Sequence, residues 1–159
     1  MNRSFPFVIS GLPEDAFAGL FDLPGEELAA RGARRCVADS RPGFPCRVSL
    51  EDAHIGEQVL LLPYSHHRVA GPYQGVGPIY VRAGAQQARL DVNQVPEVVR
   101  LRLMSVRAYD AEGIMVASEV IEGREVERQI ETFFSNEKVS YLHLHNARPG
   151  CYSCRVDRS

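Results

Sequence analysis

Leu101-Arg-Leu-Met-Ser-Val-Arg-Ala-Tyr109, Asp110-Ala-Glu-Gly113 and Ile114-Met-Val-Ala-Ser-Glu-Val-Ile121 read in order as a strand, a turn and a second strand. Apolar and β-branched residues fill both arms, and the link between them carries the Asp and Gly that tolerate a tight reversal. The two arms are therefore expected to pair antiparallel. Immediately afterwards the period changes. Across Arg124 to Phe134, Val126, Ile130, Phe133 and Phe134 stand at i, i+4, i+7 and i+8, which is one face of a helix. Val139 to His145 returns to alternation, with Leu142 and Leu144 on one side of a strand and Tyr141, His143 and His145 on the other. A doubly wound sheet would interleave strands and helices regularly, and this order does not. The expected fold class is α+β: a largely antiparallel or mixed sheet with a few short helices packed on one side.

Upstream, Phe5 to Gly11 reads as a first strand, and Pro13 stands where a helix can start without leaving an N–H unpaired. Phe17, Leu20 and Phe21 share the next helical face. Asp22 is expected to cap a second helix whose Leu28 points inward, with Gly32 as its left-handed stop. Strands are expected over Arg34 to Ala38, Arg47 to Leu50 and Gln58 to Tyr64. The run Val59-Leu-Leu-Leu62 is continuous rather than alternating, as in a central strand covered on both faces. His66 to Pro78, rich in Gly and Pro, reads as a functional loop, a lid or rim. Ile79 to Arg82 returns to strand, Pro96 to Val99 to a helical turn, and Cys151 to Val156 closes the chain as a last strand.

The 159 residues are expected to form one domain, 1–159, around one hydrophobic core. A net charge of −2 gives no general attraction to phosphate backbones, so nucleic acid is not an expected partner. No apolar run approaches the roughly 20 residues that span a bilayer. The expected setting is the cytoplasm, with no membrane partner. There Cys36, Cys46, Cys151 and Cys154 stay reduced rather than pairing.

Reactive residue types concentrate in Tyr141-Leu-His-Leu-His-Asn-Ala-Arg-Pro-Gly-Cys-Tyr-Ser-Cys154. One reading takes His143, His145, Cys151 and Cys154 as a tetrahedral Cys2His2 zinc set, against the plainer one of a polar sheet face and small buried thiols. Another takes a cysteine as a nucleophile, because a neighbouring imidazole or guanidinium favours the thiolate. Cys151, near Arg148 and after a Pro-Gly turn, is the first candidate and Cys46 the second. Arg47, Asn146 and Arg148 suit the forked, charge-assisted binding of a carboxylate or phosphate, or equally the capping of turns. His66 and His67 read as solvated loop residues.

Five segments carry a family likeness: Gly43-Phe-Pro-Cys-Arg-Val-Ser-Leu-Glu-Asp-Ala53, Gly56-Glu-x-Val-Leu-Leu-Leu-Pro-Tyr64, Gly77-Pro-Ile-Tyr-Val-Arg82, Arg107-Ala-Tyr-Asp110 and His143-x-His-Asn-Ala-Arg-Pro-Gly-Cys151. Together they resemble the bacterial proteins grouped as domain of unknown function 1203. The resemblance brings no activity, substrate or cofactor. It does weigh on the sites, because Cys46-Arg47 and the 143–151 segment match the family pattern better than Cys36 or Cys154 do. The leading expectation is a pocket for a small anionic ligand, with Cys46, Arg47, His143, Asn146 and Arg148 binding and His145 and Cys151 available for acid/base and nucleophilic chemistry. It requires the Cys46-Arg47 segment to lie beside the 143–151 segment. No cofactor is expected on this reading, zinc belongs only to the Cys2His2 alternative, and whether the chain is an enzyme stays open. A noncatalytic binding or assembly domain, with unreactive thiols and an edge strand that pairs it as a homodimer, is the other alternative.

Overall fold

The computed structural model describes residues 5–159. They form an α+β fold of two antiparallel sheets and a few short helices. The larger sheet is built from β1 (Phe7–Ser10), β5 (Leu103–Tyr109), β6 (Met115–Glu122), β7 (Tyr141–Asn146) and β8 (Tyr152–Arg158), in the order β1-β8-β7-β5-β6. The smaller contains β2 (Arg34–Val37), β3 (Gln58–His67) and β4 (Gly75–Arg82), with β3 in the middle. The 101–121 segment is the β5–β6 hairpin, paired from Leu103 opposite Glu122 to Tyr109 opposite Met115. Asp110 organises its turn, Oδ1 accepting from the backbone N–H groups of Glu112 (2.9 Å) and Ile114 (3.0 Å).

Strand β7 lies between β5 and β8, and all six of its residues are buried. Leu142 and Leu144 join Met104, Val106, Cys154 and Val156 in a core that α3 (Val126–Phe134) covers with Val126, Ile130 and Phe134. Tyr141, His143 and His145 occupy the opposite face, against the C-terminal end of β3. The expected single core is in fact divided. A second cluster, including Phe17, Leu28, Cys46, Val48, Leu60 and Ile79, packs against the smaller sheet. Two sheets each present an apolar face, and each face needs its own cover.

Three expected elements take other forms. Arg47 to Leu50 is a tight turn rather than a strand: Leu50 N–H returns to the Cys46 carbonyl (3.0 Å), and Leu50 has a φ of 54°. Pro45 and Asp52 bridge across it, and this local closure leaves no extended run to pair. Both ends of the expected 66–78 loop are strand, because Tyr64, Ser65 and His67 pair with Gly77, Val76 and Gly75, which leaves 68–74 as the link. At the N-terminal side, the helix expected after Pro13 is two 3-10 turns, Glu14–Ala16 and Ala18–Asp22. Asp22 ends the second of these, so the next helix, α1 (Gly25–Ala30), begins after Pro24 and has no side-chain cap. Leu28 points inward, and Gly32 takes the left-handed φ of 74° that stops the helix. The 96–99 turn is α2 (Glu97–Arg100).

Candidate functional site

A cavity of about 670 Å³ opens between β3–β4 and the chain reversal that follows β7. Leu61, Ile79 and Tyr80 line one side, Asn146, Arg148 and Cys151 another, and Arg47 reaches it from the 47–50 turn. Two backbone bonds fix the reversal: Asn146 N–H to the Cys151 carbonyl (2.8 Å) and Gly150 N–H to the Asn146 carbonyl (2.7 Å). They hold Cys151 and Asn146 at the cavity wall.

Arg47 is only 2% exposed. Its Nε donates to the Tyr152 carbonyl (2.7 Å), Nη1 to the Pro45 carbonyl (2.5 Å) and Nη2 to Cys151 Sγ (3.0 Å). Burial pulls the guanidinium below its ordinary pKa, and the interaction with Cys151 works in the opposite direction. No carboxylate pairs with it among the described residues. Arg102, on the same cavity, differs: its guanidinium grips Asp52 through two bonds of 2.6 and 3.1 Å. Arg148 is exposed, and among the described residues its side chain has neither an ion pair nor a hydrogen bond. Asn146 is 4% exposed; its Nδ2 lies 3.6 Å from Cys151 Sγ, and its Oδ1 has no partner among the described residues.

Of the residues expected to build one pocket, Arg47, Asn146, Arg148 and Cys151 meet at this cavity. Cys46, His143 and His145 do not line it. Cys46 is 1% exposed and faces the core of the smaller sheet, its sulfur accepting from the N–H groups of Arg82 (3.3 Å) and Ser49 (3.5 Å). Cys154 is also remote from the histidines, because it lies on the opposite face of the larger sheet. A bulge explains this: His145 stands opposite Tyr152 and Leu144 opposite Cys154, so Ser153 is one residue too many on β8. Tyr152 thereby joins the histidine face and Cys154 the apolar core, where burial pushes its thiol up to about 12. The Cys2His2 set is not assembled.

His143 and His145 instead meet His66. The His66 ring stacks on Tyr152 (centroids 5.4 Å apart, planes at 7°) and stands edge-on to His145 at 5.1 Å. One potential ligand atom from each of these three histidines lies within 4.8 Å of the others. Burial, reinforced by His67, pushes His143 down to about 2. Burial also lowers His145 to about 4, against a hydrogen bond to the Gly150 carbonyl that works the other way. Both rings are therefore neutral at neutral pH. His66 was expected in a solvated loop; it sits instead in the paired end of β3, where the register shifts between Ser65 and His67. The Gly75-x-Gly77 segment, able to pair closely beneath a ring, was the available signal. His67 has both ring nitrogens engaged, Nδ1 with the Tyr73 carbonyl (2.8 Å) and Nε2 with Tyr141 Oη (2.5 Å).

A family model described as "Protein of unknown function (DUF1203)" matches residues 43–158, so the chain belongs to that family. That span takes in the 47–50 turn, both sheet regions around the cavity and all three clustered histidines. No curated protein and no solved structure matches the chain. No helix among the described residues is long and apolar enough to cross a membrane.

Proposed function

We propose that this DUF1203 protein binds a small carboxylate- or phosphate-bearing molecule in the Arg47–Cys151 cavity. The observation that carries the reading is a buried guanidinium with no carboxylate partner, 3.0 Å from a sulfur on the cavity wall. A buried charge normally has its counter-charge built in, as Arg102 does, and a binding site is one place where the ligand supplies it. Arg148 adds a second unpaired cation at the mouth, and Asn146 Oδ1 offers an acceptor to a ligand hydroxyl or amine. The volume falls in the usual range for small-molecule pockets, roughly 300–1,000 Å³.

Cys151 is the nucleophile of this site in any catalytic version of the reading. It is partly exposed, whereas Cys46 and Cys154 are buried, and a reducing compartment such as the cytoplasm keeps it free. His145 does not act on it directly in this reading; it positions the reversal through the Gly150 carbonyl, 3.0 Å from its Nδ1. The test is alkylation mapped by mass spectrometry. Iodoacetate, an anion, should modify Cys151 faster relative to iodoacetamide than it modifies a free thiol peptide, and Arg148→Ala should reduce that preference on the order of tenfold. Equal preference in the wild-type and variant proteins would sink the anion site.

A second reading, assembly through an edge strand, draws on β6, which ends the larger sheet and exposes Val116 and Val120. It predicts a homodimer that persists on dilution; a monomer by light scattering counts against it.

A further inference from the structure

His66, His143 and His145 converge from two strands into a layer that the anion pocket does not use. His143 and His145 are 2% and 1% exposed, yet among the described residues buried His143 Nδ1, His145 Nε2 and His66 Nδ1 find no hydrogen-bond partner. A buried polar atom left without a partner is costly, so three together on facing rings need a common cause. We propose that these three histidines bind one divalent first-row transition-metal ion, zinc in the first instance, and leave a fourth coordination position open.

The tautomers favour it. A carbonyl oxygen can only accept, so His145 Nδ1 carries the proton donated to Gly150 (3.0 Å), and the lone pair stands on the unpartnered Nε2. A ligating imidazole held through its other nitrogen by a carbonyl is the usual outer support of a metal site. His67 provides the internal contrast, because both its nitrogens are already engaged and it has none to offer. The spacing is also suitable. With ligand atoms no more than 4.8 Å apart, a central ion would lie within about 2.8 Å of each, and an inward shift of about 0.7 Å reaches zinc–imidazole bond length.

The surrounding residues shape the pocket. A Cβ at Gly75 would come within 2.6 Å of His66 Cε1, so glycine there leaves the space the ring occupies, and Tyr152 stacks on the ring's face. Arg107, opposite His143 on β5, directs its Nε to Ser105 Oγ (3.2 Å) on the same face. Its charge opposes a bare dication and favours an ion whose fourth position carries an anion such as hydroxide or a carboxylate. Three neutral histidines with an open position make a Lewis-acid site rather than a closed structural one.

The test uses untagged, full-length protein stripped with a chelator and then titrated with Zn²⁺, or with Co²⁺ to read visible d–d bands. One equivalent should bind, with tetrahedral Co²⁺ bands. His66→Ala, at the least buried ligand, should weaken binding on the order of 100-fold or more, since even outer-shell changes reach 10- to 100-fold. Gly75→Ala should weaken it less, and His54→Ala, at an exposed histidine outside the cluster, should leave it unchanged. Circular dichroism establishes that each variant is folded. Failure of the folded wild-type protein to bind either ion at micromolar concentration would overturn the proposal. So would binding that survives His66→Ala or disappears with His54→Ala.

Discussion

The two faces of β7 are equally buried and chemically opposite. On one, Leu142 and Leu144 join Val106, Val156 and the buried α3 side chains in the apolar core. On the other, Tyr141, His143 and His145 pack ring against ring with Tyr109, Tyr152 and the β3 histidines. Burial alone does not distinguish them. The difference lies in what each face leaves unfinished: the leucine face satisfies itself by packing, whereas the histidine face keeps nitrogen lone pairs without donors. A fold can therefore hold a stabilising layer and a chemical layer on the same few residues, back to back.

That contrast can be broken most directly on the leucine face. Leu144→Ala removes a side chain that is 0% exposed, and the cavity left behind should cost about 2–5 kcal/mol in chemical denaturation, with or without metal. On the histidine face the metal-free protein should respond far less. His143→Leu replaces a ring that has an unpartnered nitrogen with an apolar group of similar size, and stability should change by less than about 1 kcal/mol. The same variant should lose the stabilisation that added zinc gives the wild-type protein, read as the absence of a melting-temperature rise. A cost for His143→Leu as large as that for Leu144→Ala would mean the two faces are not different in kind.

The smallest effect concerns the turn that enters β3. Burial raises Glu57, but the hydrogen bonds from His54 and Arg82 outweigh it and hold the carboxyl down at about 2. A carboxylate depressed from its ordinary 4.5 contributes stability above that value and loses it as pH falls toward 2. Glu57→Gln should therefore flatten the acid limb of the stability curve between those values. Because the pair is partly solvent-exposed, salt should shrink the difference.

Much of the architecture was legible in local pattern. Period-two alternation placed Leu142 and Leu144 opposite His143 and His145, and the i, i+4, i+7, i+8 spacing located α3. Asp110 and Gly113 marked the reversal of the hairpin. The meeting of Arg47 with the 146–151 reversal is a requirement of the expected anion pocket that no local pattern supplies, since 104 residues separate Arg47 from Cys151. Around His66 the Gly and Pro residues point to a loop, whereas backbone pairing across β3–β4 extends the strand through it.

By itself the sequence determined which residues are apolar at which period, and hence the strand and helix types and the side of β7 that carries imidazole. Tertiary structure alone decided the partners. One extra residue, Ser153, inverts the parity of β8 and sends Cys154 into the core while Tyr152 joins the histidines. The β3 bulge brings His66 to them from a different sheet. Parity shifts of this kind come from the register between strands distant in sequence, and no local period encodes a register.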